Sequence, residues 1–393
     1  MKSGFVTIPL YYQKYNERVF IMKQRFKKHV ALILISLMLL SLIGCGKPAS
    51  TETTGTTTEA AVTEAPAASI SDAATTADST PADASEEGSD AQTVYPVTVT
   101  DQAGREVTIE KEPESIVSGY YISTSLLLAL GLKDKVTGIE AKADKRPIYK
   151  LAAPEFLELP NVGTAKEFDL ETCASLSPEL VILPMKLKDA AQSLSELDIP
   201  VLLVNPESED QLEQMIELVS TATNTKENAD ALLSYIDEKK EMLEKDLSGV
   251  DAESVYLAGN SSLLSTAGPA MYQSGLIELA GGKNAASEIT DTYWAEISYE
   301  QLLAWDPSYI ILASDAEYTP EDVLNDENLK ECTAVKNGNV YAIPGDIEAL
   351  DSPVPGGILA SIWLAGILHP DEVSADMYTE EKAAFYETFY GIK

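Results

Sequence analysis

The chain has 393 residues, with 28 Lys or Arg, 63 Asp or Glu and only two His. That length is enough for two domains. Its formal net charge of −35 argues against nucleic acid or an anionic membrane surface as a partner, because like charges repel.

The first residues read as an export leader. Lys23, Arg25, Lys27 and Lys28 form a positive cluster ahead of an apolar run at 30–43. That run of about 14 residues is shorter than the roughly 20 that span a membrane, and it has the length of a signal-peptide core. It closes on Leu42-Ile43-Gly44-Cys45, which resembles the lipobox of bacterial lipoproteins. The resemblance makes 1–44 the cleaved segment and Cys45 the lipid-bearing N-terminus, with Met22 as an alternative start. An uncleaved signal anchor fits less well, because a polar tether follows at once. Residues 46–93 are rich in Thr, Ala, Ser and Glu. They bury too little apolar surface to offset chain entropy, which predicts a disordered stalk. The leader holds seven of the basic residues and one of the acidic ones, so the remainder carries 21 basic against 62 acidic, a charge of −41. Cys173 and Cys332 fall in different halves and are expected as buried thiols, although an oxidising compartment would permit a disulfide.

Folding is expected to begin near Tyr95. Residues 97–100 and 106–109 alternate on either side of a turn at 101–104, as in a β-hairpin. A strand at 115–117, a helix at 123–130 and a strand at 136–139 follow. The apolar runs at 180–183 and 201–204 read as strands buried on both faces. From Ser208 to about Leu247 no strand signal remains. Asn224 and Glu227 have capping-box spacing. Ala229, Leu232, Leu233, Ile236, Leu243 and Leu247 then share one helical face, predicting a helix of roughly 22 residues. Strands resume at 254–258, 309–313 and 339–343. Strands alternating with helices predict α/β architecture with parallel sheets. The expected division is a first lobe at 94–222, a connecting helix at 223–248 and a second lobe at 249–393.

An internal repeat supports two related lobes. FDLETCASLSPELVIL at 168–183 aligns without a gap to ISYEQLLAWDPSYIIL at 297–312, a separation of 129. Glu171 matches Glu300 and Pro178 matches Pro307. In each copy Asp169 or Ser298 caps a helix, a residue before Pro ends it, and a buried strand follows.

Ligands of open α/β sheets bind beyond the carboxyl ends of the strands, and two such lobes make a cleft. The first-lobe exit loops carry Tyr120, Tyr121, Lys142, Lys145, Arg146, Lys166, Lys186 and Lys188. Those of the second carry Tyr272, Tyr293, Trp294 and Tyr318. The aromatics offer rigid faces with a polar handle, and the cations would favour an anionic solute. The competing reading is packing for the Tyr residues and plain solvation for the Lys residues, with Glu140, Asp144, Glu167 and Asp189 interspersed. Of these aromatics Trp294 is the strongest candidate. The expected ligand set is Tyr120, Tyr121, Lys142, Arg146, Lys166, Lys186, Tyr272 and Trp294. A hydrolase would have to rely on His369, and no G-x-S-x-G, C-x-x-C, H-E-x-x-H or phosphate-loop motif is present. A histidine metal cage cannot be built; a hard cation on oxygens stays open.

The lipobox, YPVTVTDQAGREVTI, SIVSGYYISTSLLLALGL, PNVGTAKEFDLETCASLSPELVIL, WAEISYEQLLAWDPSYIIL and NVYAIP, in that order, resemble class III substrate-binding proteins of ABC importers. That family serves ferric siderophores, haem and cobalamin. The resemblance covers nearly all of 95–393. It implies two α/β lobes joined by one long helix, a ligand cleft between them, and no enzyme activity or cofactor. It further implies a monomer on the outer face of the cytoplasmic membrane that delivers solute to a permease dimer. Glu171 and Glu300 stand where family members dock onto the permease. Trp294 stands where cobalamin-binding members carry a cleft tryptophan, but the loop at Ala165 lacks their second aromatic. SPVPGGILASIWLAGILHPD and FYGIK are similar to members that bind molybdate-like oxoanions. The expected cargo is an iron-siderophore-like anionic chelate, with molybdate or tungstate, haem and cobalamin as alternatives and a lipid-anchored hydrolase as the alternative from another class.

Overall fold

The computed structural model describes residues 92–290 and 292–393. The expected leader, Cys45 and almost all of the stalk lie outside them. The hairpin forms as expected, with β1 (Val97–Thr100) antiparallel to β2 (Glu106–Ile109). Its turn is fixed by buried Asp101, which accepts from the Arg105 guanidinium at 2.7 Å and from the Leu203 N–H at 3.0 Å. The second bond ties the hairpin to the first sheet.

That sheet is built from β3 (Ile116–Ser118), α1 (Tyr121–Ala129), β4 (Val136–Gly138), α2 (Pro147–Ala152), α3 (Leu170–Ser175), β5 (Leu180–Pro184), α4 (Lys188–Ser195) and β6 (Val201–Val204). Its strand order is β4-β3-β5-β6 and every pairing is parallel. β3, β5 and β6 are buried along their whole length, as strands covered on both faces must be.

Two helices follow, α5 (Glu209–Thr223) and α6 (Lys226–Asp246). α6 is the expected connecting helix, but Asn224 does not cap it. Asn224 is left-handed, with φ 58°, and ends α5 instead. Its amide accepts from the Thr93 N–H at 2.8 Å and donates to Glu112 at 2.8 Å. Asn tolerates that backbone region well, so the C-cap role prevailed over the capping box. Thr225 stands at the N-cap of α6, and its hydroxyl pairs with that of Thr223 at 2.9 Å rather than capping the helix.

The second lobe holds β7 (Glu253–Ala258), β8 (Ser265–Ala267), α7 (Tyr272–Leu279), β9 (Gly282–Asn284), β10 (Trp294–Glu296), α8 (Tyr299–Trp305), β11 (Tyr309–Leu312), α9 (Pro320–Leu324), α10 (Thr333–Asn337), β12 (Val340–Ala342), α11 (Ile358–Leu368) and α12 (Ala375–Tyr390). β11 pairs in parallel with β7 and β12, and β9 also runs parallel to β7. β8 and β10 are antiparallel, which departs from a purely parallel sheet. At three residues each they are too short to show a period.

The two copies of the repeat become equivalent elements, α3–β5 and α8–β11. Asp169 accepts from the Thr172 N–H at 2.9 Å, and Ser298 accepts from the Gln301 N–H at 3.2 Å. The matched residues Ser177 and Asp306 are both left-handed, with φ 50° and 43°, directly before Pro178 and Pro307. A non-glycine in that region is uncommon. Finding it at the same register twice strengthens the case for a related pair.

The lobes share one hydrophobic core. It runs from Ile182 and Leu202 of the first sheet to Val255, Leu257 and Ile311 of the second. α12 adds to the joint. Its Phe385 ring lies 5.2 Å from that of Tyr235 in α6, and its Glu381 accepts from Lys239 at 2.8 Å and from Tyr235 at 2.9 Å. Cys173 and Cys332 are buried free thiols, as expected. No helix among the described residues is long and apolar enough to cross a membrane.

Candidate solute-binding cleft

Parallel strands deliver their following loops to one end of a sheet. The exits of β3, β4 and β5 therefore place Tyr120, the 140–146 loop and Lys186 at the same end of the first lobe. Lys166 joins them, because its turn is tied to the 140–146 loop by the Ala141 N–H donating to the Gly163 carbonyl at 2.8 Å. Lys142, Lys166 and Lys186 are exposed. Among the described residues none of the three makes an ion pair. Lys142 is left-handed at φ 69°.

The exits of the two sheets meet. Arg146 lies over the Tyr121 ring, 3.9 Å from its centroid, and its Nη1 is 3.7 Å from Oδ2 of Asp315, which follows β11. The Tyr121 hydroxyl donates to Ser352 Oγ of the second lobe at 2.9 Å. Tyr120 packs edge-on against Tyr121, with centroids 5.4 Å apart. A cavity of about 20 Å³ lies between, lined by Tyr121, Lys145, Arg146, Asp315, Gly345 and Glu348 among others. That is room for a water rather than a solute. Any larger ligand must sit further out or part the lobes.

Three buried carboxylates underlie this region, and the sequence alone assigns none of them a role. Glu140 accepts from the Tyr149 hydroxyl at 2.6 Å and from Thr124 at 2.7 Å. Burial raises its pKa, and the two hydroxyls partly offset that. Glu348 bridges the lobes. It accepts from Ser125 of α1, from Tyr386 at 3.0 Å and from Tyr390 at 3.4 Å. Burial pushes its carboxyl up to about 7 against the pull of these donors. Asp351, also raised by burial, accepts from the Ser314 hydroxyl and fixes the turn beside Asp315. One signal pointed to Glu348. Tyr386 and Tyr390 are four apart on one face of α12, and two inward hydroxyls require a polar partner.

In the second lobe Trp294 and Tyr293 are 40 % and 57 % exposed. Trp294 pairs with Ala267 across β8 and lies over Gly259, the residue after β7. A Cβ at Gly259 would come within 3.0 Å of the indole, so glycine permits the approach. Tyr318 donates to the Gly259 carbonyl at 2.7 Å from the neighbouring loop. Tyr272 differs from the expectation. It is 4 % exposed, packed where a Cβ on Gly357 would fall 2.0 Å from its hydroxyl. The residues around it in the first turns of α7 are buried too, so it is a core side chain at a helix start rather than a loop aromatic. Glu171 and Glu300 are exposed in the first turns of α3 and α8. Its own backbone N–H and Ser298 hold the Glu300 carboxyl below the usual range.

Two α/β lobes on a shared core, meeting at their strand exits, are the architecture of a two-lobed binding protein. Residues 116–347, more than half of the chain, match the sequence profile of the periplasmic binding protein family, and the chain belongs to it. It is 28 % identical over 273 residues to the Bacillus subtilis protein YvrC, described as an uncharacterized ABC transporter substrate-binding lipoprotein; this covers 66 % of the chain and 82 % of YvrC. It is 25 % identical over 323 residues to the molybdate-binding protein MolA of Haemophilus influenzae, covering 74 % of the chain and 91 % of MolA. The crystal structure of a periplasmic solute binding protein from Veillonella parvula matches with a TM-score of 0.67 and 26 % identity, covering 76 % of this chain and 93 % of that one. These relatives are binding proteins, not enzymes. The chain is accordingly a substrate-binding protein of the ABC-importer type.

Proposed function

We propose that the chain captures an anionic metal chelate of the ferric-siderophore kind between its lobes and delivers it to an ABC permease dimer, tethered through a lipid on Cys45 at the outer face of the cytoplasmic membrane. The observation that carries the reading is Arg146. It is oriented by the Tyr121 ring, half-buried at the lobe junction, and its one ion-pair partner among the described residues is a carboxylate at 3.7 Å. A guanidinium so placed is suited to bidentate capture of carboxylate, catecholate or oxoanion oxygens. Lys142, Lys166 and Lys186 add positive charge at the same sheet end, Tyr120 and Tyr121 line it, and the exposed Trp294 offers a face to the organic part of a chelate. A second reading, an oxoanion such as molybdate, draws on the likeness to MolA and on the small cavity beside Arg146.

One titration separates these. The protein is mixed with a ferric tricatecholate, a ferric trihydroxamate, haem, a corrinoid or molybdate, while visible absorbance and Trp fluorescence are followed. A saturable change with a ferric chelate is expected. Saturable quenching by molybdate alone would favour the oxoanion. Binding of none, together with ester or peptide hydrolysis, would overturn solute capture altogether.

Glu171 and Glu300 belong to the same proposal as permease contacts. They sit at matched positions of the two copies and suit a partner with two symmetry-related sites. The double change Glu171→Ala and Glu300→Ala is expected to leave solute affinity unchanged and to reduce uptake in cells several-fold. Lost affinity in the purified variant would place them in the cleft instead.

A further inference from the structure

We infer that Asp315 stands in for the solute: its carboxylate faces Arg146 across the lobe junction, and an anion must displace it to bind. The inference rests on the anionic-solute reading above and adds a charge filter to it.

Three observations support this. The first is distance. Nη1 of Arg146 and Oδ2 of Asp315 are 3.7 Å apart, within ion-pair range but well beyond the roughly 2.7–2.9 Å of a charge-assisted hydrogen bond. The pair is aligned by charge without being locked. The second is exposure. The Asp315 side chain is 58 % exposed and that of Arg146 29 % exposed, so solvent screens the contact and it is cheap to break. The third is that both ends are held. Arg146 is stacked on Tyr121. Asp315 follows Ser314, whose N–H and hydroxyl both donate to buried Asp351. The main chain of second-lobe Asp315 is thereby fixed opposite first-lobe Arg146, while its carboxylate is largely exposed to solvent. Among the described residues Arg146 is its only ion-pair partner.

The consequence is competition for one set of donors. A solute oxyanion reaching Arg146 needs the N–H groups that Asp315 now faces, and it must also sit close to that carboxylate. A singly charged or weakly basic anion gains little over Asp315. A polyanion, or one presenting two oxygens in the guanidinium plane, gains enough to push it aside. The lobe that closes over the solute therefore also tests its charge.

The test compares Asp315→Asn with Glu317→Gln, which removes a nearby exposed charge of the same loop that makes no ion pair with Arg146. Dissociation constants for a ferric tricatecholate and for molybdate are measured on the full folded part at low and high salt. Asp315→Asn is expected to tighten whichever anion the wild type binds by about two- to fivefold at low salt, the range of an exposed ion pair. The gain should shrink as salt screens the competitor, and Glu317→Gln should change little. Equal tightening by both variants would reduce the effect to overall charge and overturn the inference. Weaker binding by Asp315→Asn would overturn it too, making Asp315 a solute contact. If the wild type binds anions and Asp315→Asn matches it, the inference fails alone. If neither protein binds any anion, the anionic-solute reading fails and takes the inference with it.

Discussion

The protein should lose stability as pH rises from about 4.5 to about 7, and Glu348→Gln should remove a large part of that loss. Burial raises the Glu348 carboxyl from 4.5 to about 7 in the folded state. Between those values the folded protein holds a proton that the unfolded chain has released. The unfolded state then binds fewer protons, so stability falls with rising pH. Below about 4.5 both states are protonated and above about 7 both are ionised, so the effect is confined to that window. At about 1.4 kcal/mol per pH unit, the span amounts to something on the order of 3 kcal/mol. Gln keeps the shape and a hydrogen-bonding group but carries no charge. Glu140 and Asp351 are also raised by burial and act in the same direction, so the variant should retain a shallower slope. Urea midpoints for both proteins from pH 4 to pH 8 give the answer. Parallel curves would mean that Glu348 does not hold the proton.

The second large effect concerns Arg146. Arg146→Ala should weaken binding of the anionic solute on the order of 10- to 100-fold, the usual loss for a hydrogen bond to a charged group. Arg146→Lys should recover only part of it. Lysine keeps the charge but has neither the planar fork nor the stacking on Tyr121. Calorimetry on the purified variants reads this directly. If Arg146→Lys binds like the wild type, the site needs charge only. If Arg146→Ala does, the solute lies elsewhere. Stability should fall by no more than about 1–2 kcal/mol in either variant, because the ion pair is long and the stacking on Tyr121 is a single cation–π contact.

Much of the architecture could be read from local grammar. The hairpin alternates, the parallel strands are short apolar runs, and Asp169 and Ser298 announce the helices they cap. Each of these signals lies within a few residues of the element it predicts. The functional region is less legible because its parts are distant in sequence. Ser125 and Glu348 are 223 positions apart, and Ser125 and Tyr390 are 265 apart. Glu348 sits in a loop that reads as solvated, and only the paired hydroxyls of α12 betray it. Arg146 was legible as a cation at a strand exit, but its stacking on Tyr121 and its opposition by Asp315 depend on how the lobes meet. Tyr272 failed for the converse reason. An aromatic just after a loop looks available, and burial of the turns around it has no local signature. Asn224 had two grammatical uses, and the tertiary bond to Thr93 selected the less obvious one.

The placement of α12 bears on how the chain folds. This helix follows the second lobe's sheet in sequence, yet its Tyr390 bonds Ser125 in α1 and its Phe385 packs against Tyr235 in α6. The first sheet is complete in sequence by residue 204, yet its lobe keeps an apolar and hydroxyl-lined face open until α12 packs against it. Contacts of such long sequence separation form late and slow the search for the native state. Shortening the chain before Ala375 would thus damage the first lobe, and a quality check on this sixteen-residue helix is a check on the whole molecule.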